Sequence, residues 1–213
     1  MNKYTLILLI AIQLIGGLQS QAADSVSYRP DVHATIRGKY EYQPQIAKGR
    51  FEVRNARVSI GGKVLPIVGY KAEIDLSDEG AIRMLDAYVR IEPKEHLKLT
   101  VGQMRVPFTI DAHRSPHLQY FANRSFIAKQ VGNVRDVGAS VGYTFFGRSP
   151  LTLEAGIFNG SGLTDQKNFW TSNYNFSLKA QMTVARHFNL TASFQRANAG
   201  DTKVNMYDIG GYY

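Results

Sequence analysis

Apolar and polar residues alternate one by one through most of this chain, in short segments separated by polar connectors. From 175 to 185 the order N-F-S-L-K-A-Q-M-T-V-A places Phe176, Leu178, Ala180, Met182 and Val184 on one face of an extended strand. Ser177, Lys179, Gln181 and Thr183 fall on the other. The segment 137–145 repeats the pattern, with Val137, Ala139, Val141, Tyr143 and Phe145 opposite Gly138, Ser140, Gly142 and Thr144. A third segment turns Val68, Tyr70, Ala72, Ile74 and Leu76 away from Lys71, Glu73 and Asp75. A fourth turns Leu85, Ala87, Val89 and Ile91 away from Asp86 and Arg90. The period of two predicts an all-β, antiparallel fold of about ten strands, over 31–42, 50–62, 67–77, 82–92, 96–104, 136–146, 151–159, 173–185, 188–197 and 203–213.

The connectors decide what the apolar faces touch. Those at 63–66, 93–95, 147–150 and 186–187 read as tight turns, with Gly, Pro and charge. Those at 43–49, 78–81, 105–135, 160–172 and 198–202 read as mostly longer and more polar, so short and long connectors alternate. A transmembrane β-barrel, with turns at one rim and loops at the other, produces that alternation. Its strands need about 9–11 residues to cross a bilayer. Aromatic residues fall near strand ends (Tyr40, Tyr42, Phe145, Phe146, Trp170, Tyr174, Phe188), where a barrel carries its interfacial girdles. A soluble sandwich would bury the same apolar faces and put the charges in water.

The N-terminus favours export. Lys3, an apolar run over 6–15 and the small residues Ser20 and Ala22 make the three parts of a signal peptide, predicting cleavage after Ala22 and a single domain over 23–213. No cysteine is present, so disulfides and thiolate metal sites are excluded. The formal net charge of +8 points to small anions or lipopolysaccharide phosphates as partners; for an exported chain nucleic acid is not expected.

The stretch 105–135 shows no dyad. It carries Arg105, Arg114, Arg124, Lys129 and Arg135 among Phe108, Tyr120, Phe121 and Phe126, and is expected to fold against the barrel lumen. His113 and His117 stand four apart, but Pro116 between them argues against a helical metal site, and no cofactor or metal is expected. No nucleophile elbow or comparable context occurs, so no enzyme is expected.

Several segments, in order, resemble the phosphate-selective porins O and P of bacterial outer membranes. They are V-R-N-A-R-V-S-I-G-G-K over 53–63, G-Y-K-A-E-I-D-L over 69–76, L-D-A-Y-V over 85–89, G-Q-M-R-V-P-F over 102–108, A-N-R-S over 122–125, R-D-V-G over 135–138 and G-I-F-N-G over 156–160. The resemblance implies homotrimers of 16-stranded barrels, so the ten strands here are expected to be the N-terminal part of one, as an open or half-closed curved sheet. It also implies a constriction lined by basic residues. Of a family arginine pair in the second strand the first matches Arg54 and the second falls on Asn55. A fourth-strand carboxylate matches Asp86, a constriction-loop arginine matches Arg124, and a loop lysine is replaced near His117.

The expected pore and anion-contacting residues are therefore Arg54, Arg57, Arg114 and Arg124, with Asp86 keeping the site shallow. Guanidinium forks stay charged and lower the entry cost for an anion. The expected function is an anion- or phosphate-preferring diffusion channel. The alternatives are a structural or adhesive barrel, or a saccharide-type porin using Tyr120, Phe121 and Phe126 for stacking.

Overall fold

In a computed structural model, which describes residues 27–78, 81–110, 135–163, 166–184, 187–199 and 202–213, the chain forms one sheet of ten strands. They are β1 (Asp31–Gln43), β2 (Lys48–Leu65), β3 (Val68–Asp78), β4 (Ala81–Lys94), β5 (Leu97–Arg105), β6 (Arg135–Phe145), β7 (Leu151–Phe158), β8 (Asn175–Val184), β9 (Phe188–Ala199) and β10 (Thr202–Tyr212). Each pairs antiparallel with the next, in sequence order, and the sheet is not closed by a β1–β10 pairing. The leader over 1–22 lies outside the described residues, as do Arg114, Arg124, His113, His117, Tyr120, Phe121 and Phe126.

Burial is inverted relative to a soluble domain. Among the described residues five hydrophobic side chains are buried against fifteen polar or charged ones, while Ile36, Phe51, Ile82, Tyr207 and Ile209 are each more than 70 % exposed. The alternation of β8 is as expected: Phe176 and Leu178 face out, and Asn175, Ser177 and Lys179 are buried. The other face is therefore no sandwich core. Its apolar residues would cost about 25 cal/mol per Å² if left in water, so they need lipid or another apolar surface. Rings cluster at both rims: Tyr40 on Phe51 with centroids 4.9 Å apart at the loop end, and His96 on Phe146 at 4.3 Å and Tyr143 on Phe145 at 4.7 Å at the turn end.

The register shifts at several places, and two of these irregularities move residues expected at the site or on the outward face. Between β3 and β4 the register runs Glu73 to Asp86 and then Ile74 to Met84, so Leu85 is an extra residue. Leu85, expected on the outward face, is buried instead, and Met84 takes the outward place at 48 % exposure. Between β1 and β2, Arg37 faces Asn55 and Gly38 faces Val53, which leaves Arg54 without a partner across the ladder.

The connectors also differ from the expected alternation in length. The β1–β2 link is a short 3-10 turn over Pro44–Ile46 with Ala47, because β2 runs to 18 residues. The ladders beside 78–81 and 198–202 continue almost to the turn, with Asp78 opposite Ala81 and Thr202 opposite Ala199. Two long connections remain, 106–134 and 159–174. The first enters the concave face at once. Val106 and Phe108 pack with Met104 and Phe158, against Tyr88 of β4 and Met206 of β10. The Thr109 N–H donates to Ser193 Oγ on β9 at 3.1 Å.

Candidate functional site

Facing residues of adjacent strands on the concave face pair by charge. At the loop rim, Lys39 and Glu41 of β1 stand opposite Glu52 and Arg50 of β2. The four close a square, with Lys39 to Glu52 at 3.2 Å, Arg50 to Glu41 at 2.9 Å and Arg50 to Glu52 at 3.0 Å. Exposed pairs of this kind contribute little to stability.

Deeper in the wall, Glu73 of β3 faces Asp86 of β4 directly. Two carboxylates across a ladder repel each other, and three cations offset this. Lys71 lies 2.7 Å from Glu73 and 3.2 Å from Asp86. Arg135 sends Nε to Asp86 at 2.7 Å and Nη2 to Glu73 at 3.4 Å. Arg57 donates from Nε to Asp75 at 2.8 Å and approaches Glu73 at 3.7 Å. Asp75 also accepts from Asn55 Nδ2 at 3.3 Å and from the Ala56 N–H at 3.1 Å. Three cations and three carboxylates thus form one neutral, largely buried lattice over β2, β3, β4 and β6.

Of the expected anion-contacting residues, Arg57 and Asp86 both belong to this lattice, with Glu73 between them. Arg54 is half-buried at its bulge, next to Asn55, and makes no ion pair among the described residues. Arg114 and Arg124 lie outside the described residues. Arg135 was not among the expected site residues: it closes a stretch without any dyad and reads as a loop end. Its signal was the R-D-V-G segment.

That segment has a second half. The Asp136 carboxylate accepts from the N–H groups of Gly160 at 2.6 Å and Gly162 at 3.2 Å, and from Ser161 Oγ at 3.3 Å, which fixes the start of the β7–β8 loop. Consecutive residues therefore fasten the returning chain in two directions, Arg135 to β3 and β4, Asp136 to the next loop. The glycines of R-D-V-G and G-I-F-N-G make room for Phe158. A Cβ on Gly138 would lie 2.1 Å from the Ile157 carbonyl oxygen, and one on Gly156 would lie 2.4 Å from the Phe158 ring.

Toward the turn rim the balance of charge shifts from neutral to positive. A polar pocket of about 250 Å³ is bounded by Lys71, Arg90, Lys98 and Arg105, with Asp86 and Glu154 as its carboxylates. Arg90 is held by Thr100 Oγ1 at 3.3 Å and the Tyr88 hydroxyl at 3.5 Å, its guanidinium 5.1 Å from the Tyr88 ring centroid. Neither Arg90 nor Lys98 has a carboxylate partner among the described residues. Four cations against two carboxylates leave the pocket net positive, and a guanidinium fork held by its neighbours binds an oxyanion at small entropic cost.

A family model described as phosphate-selective porin O and P matches residues 29–206. No curated protein matches the chain.

Proposed function

Since the chain belongs to the phosphate-selective porin O and P family, we propose that the intact protein is an anion-preferring diffusion channel of the bacterial outer membrane. In this reading the outward apolar faces meet lipid and lipopolysaccharide, and the channel works as a homotrimer. The observation that carries it is the net positive pocket on the concave wall, beside a chain segment that crosses that face at Val106–Phe108. A narrowed lumen is poor in water, so each cation there attracts an anion more strongly than in bulk.

The reading divides the labour among the basic residues. Arg57 and Asp86 spend their charge on neighbours and hold the wall in register. Arg54, the pocket cations Arg90 and Lys98, and the loop residues Arg114 and Arg124 supply the attraction for a passing anion. Carried in planar bilayers by the full-length protein, chloride current should fall when phosphate is added. A chloride current that phosphate leaves unchanged contradicts the proposal.

A further inference from the structure

The turn-side pocket has a composition that a site for any small anion does not need. In register, Lys98 of β5 faces Gly142 of β6, Gly142 faces Glu154 of β7, and Glu154 faces Lys179 of β8. One row nearer the loops, Arg90 faces Thr100 and Thr100 faces Ser140. Adjacent strands lie about 4.8 Å apart, so the Lys98 and Glu154 backbones are roughly 10 Å apart, with a glycine between them. A Cβ at Gly142 would touch Glu154 Cγ at 3.6 Å and Lys98 Cβ at 4.0 Å, so the absent side chain is the gap itself. The floor is small, Ser140 and Gly142. Cations stand on one side and a carboxylate on the other.

That carboxylate is the informative part. Asp86, at the far end, has both oxygens engaged, Oδ1 with Arg135 and Oδ2 with Lys71. Glu154 is only loosely held, its Oε2 3.6 Å from Lys179, and its side chain is 36 % exposed. An unsaturated carboxylate repels an anion that offers only acceptors, and accepts a hydrogen bond from one that carries a proton. Hydrogenphosphate has that proton; sulfate, of the same shape and charge, does not.

We propose that Glu154 is a specificity-determining residue of this pocket: Arg90 and Lys98 hold the charge of an oxyanion while the Glu154 carboxylate accepts a hydrogen bond from the ligand's own O–H. It rests on the channel reading, and adds the residue that separates hydrogenphosphate from sulfate.

The test uses full-length channels in planar bilayers, with chloride as the carried ion and inorganic phosphate or sulfate added on the turn side as blockers. Wild type should be blocked by phosphate at about tenfold lower concentration than by sulfate, the scale of one charge-assisted hydrogen bond. Glu154→Gln should bring the two within about twofold by raising sulfate block. The double variant Arg90→Gln, Lys98→Gln should weaken both by a similar factor. Heat-modifiable gel mobility establishes assembly first, and the double variant decides alone if Glu154→Gln does not assemble. An unchanged phosphate-to-sulfate ratio in Glu154→Gln, or unchanged block in the double variant, overturns the subsite. A wild-type current carried by cations overturns the channel reading instead.

Discussion

The concave wall has two halves of opposite character. On β1 to β5, with Arg135 of β6, it carries Lys39, Glu41, Glu52, Arg57, Lys71, Glu73, Asp75, Asp86, Arg90 and Lys98, and most of these charges are paired with a neighbour. On β8 and β9 the inward positions are Asn175, Ser177, Gln181, Thr183, Asn189, Thr191, Ser193 and Gln195, with Lys179 as the one cation of that set. Among the described residues the Ser177, Thr191 and Gln195 oxygens are buried without a hydrogen-bond partner. The same dyad therefore builds two surfaces. One sets a field, while the other presents neutral dipoles and receives the inbound chain through Ser193. In the proposed channel an anion would be guided from one side, with the strongest attraction where the lattice of pairs runs out, at Arg90 and Lys98.

Breaking the lattice should have the largest effect. Arg135→Met removes a buried guanidinium and leaves Glu73 facing Asp86 with less compensation; about 3 kcal/mol of stability should be lost, read from urea unfolding of the refolded barrel. The loss should shrink when Asp86→Asn is added, since the remaining repulsion is then relieved. Unchanged stability in Arg135→Met would remove the lattice from the account.

A smaller effect is expected where the halves meet. Gly138→Val forces a side chain against the Ile157 carbonyl and the Phe158 ring, which should cost about 2 kcal/mol and loosen the 106–110 crossing. Protection of the Val106 and Phe108 amides against hydrogen exchange should drop with it. On the neutral wall, Ser193→Ala removes the hydroxyl that accepts from the Thr109 N–H, for about 1 kcal/mol. Faster exchange confined to Thr109 and its neighbours is the expected sign, and an unaltered rate would mean that Ser193 does not hold the segment.

The strands were legible because a period of two survives without any knowledge of partners: β6 to β9 fall within two residues of the expected limits at nearly every end. Bulges were not legible. Counting alternate positions placed Leu85 with Ala87 and Val89, and nothing in L-D-A-Y-V marks the extra residue that turns it inward. Arg54 matched a family position, yet its place outside the ladder depends on the register with β1, where the shift falls between Arg37 and Gly38. The connectors at 78–81 and 198–202 read as loops because they are polar, but ladder hydrogen bonds are made by the backbone and need no apolar side chain. The pairing of Arg57 with Asp75 and of Asp86 with Arg135 joins residues 18 and 49 positions apart, a relation that only the register creates.

The central claim is that the excess cations of the charged wall make the lumen anion-preferring. Its most direct test is the reversal potential of the full-length channel in a potassium chloride gradient, for wild type and for the double variant Arg90→Gln, Lys98→Gln. The double variant Lys63→Gln, Lys94→Gln, a matched loss of two charges at the turn ends of β2 and β4, is the control. The account predicts an anion-sided potential in wild type, an equal one in the control, and a shift of roughly severalfold in permeability ratio toward zero preference in the double variant. A cation-sided wild-type potential, or one that the double variant leaves where the control does, contradicts it.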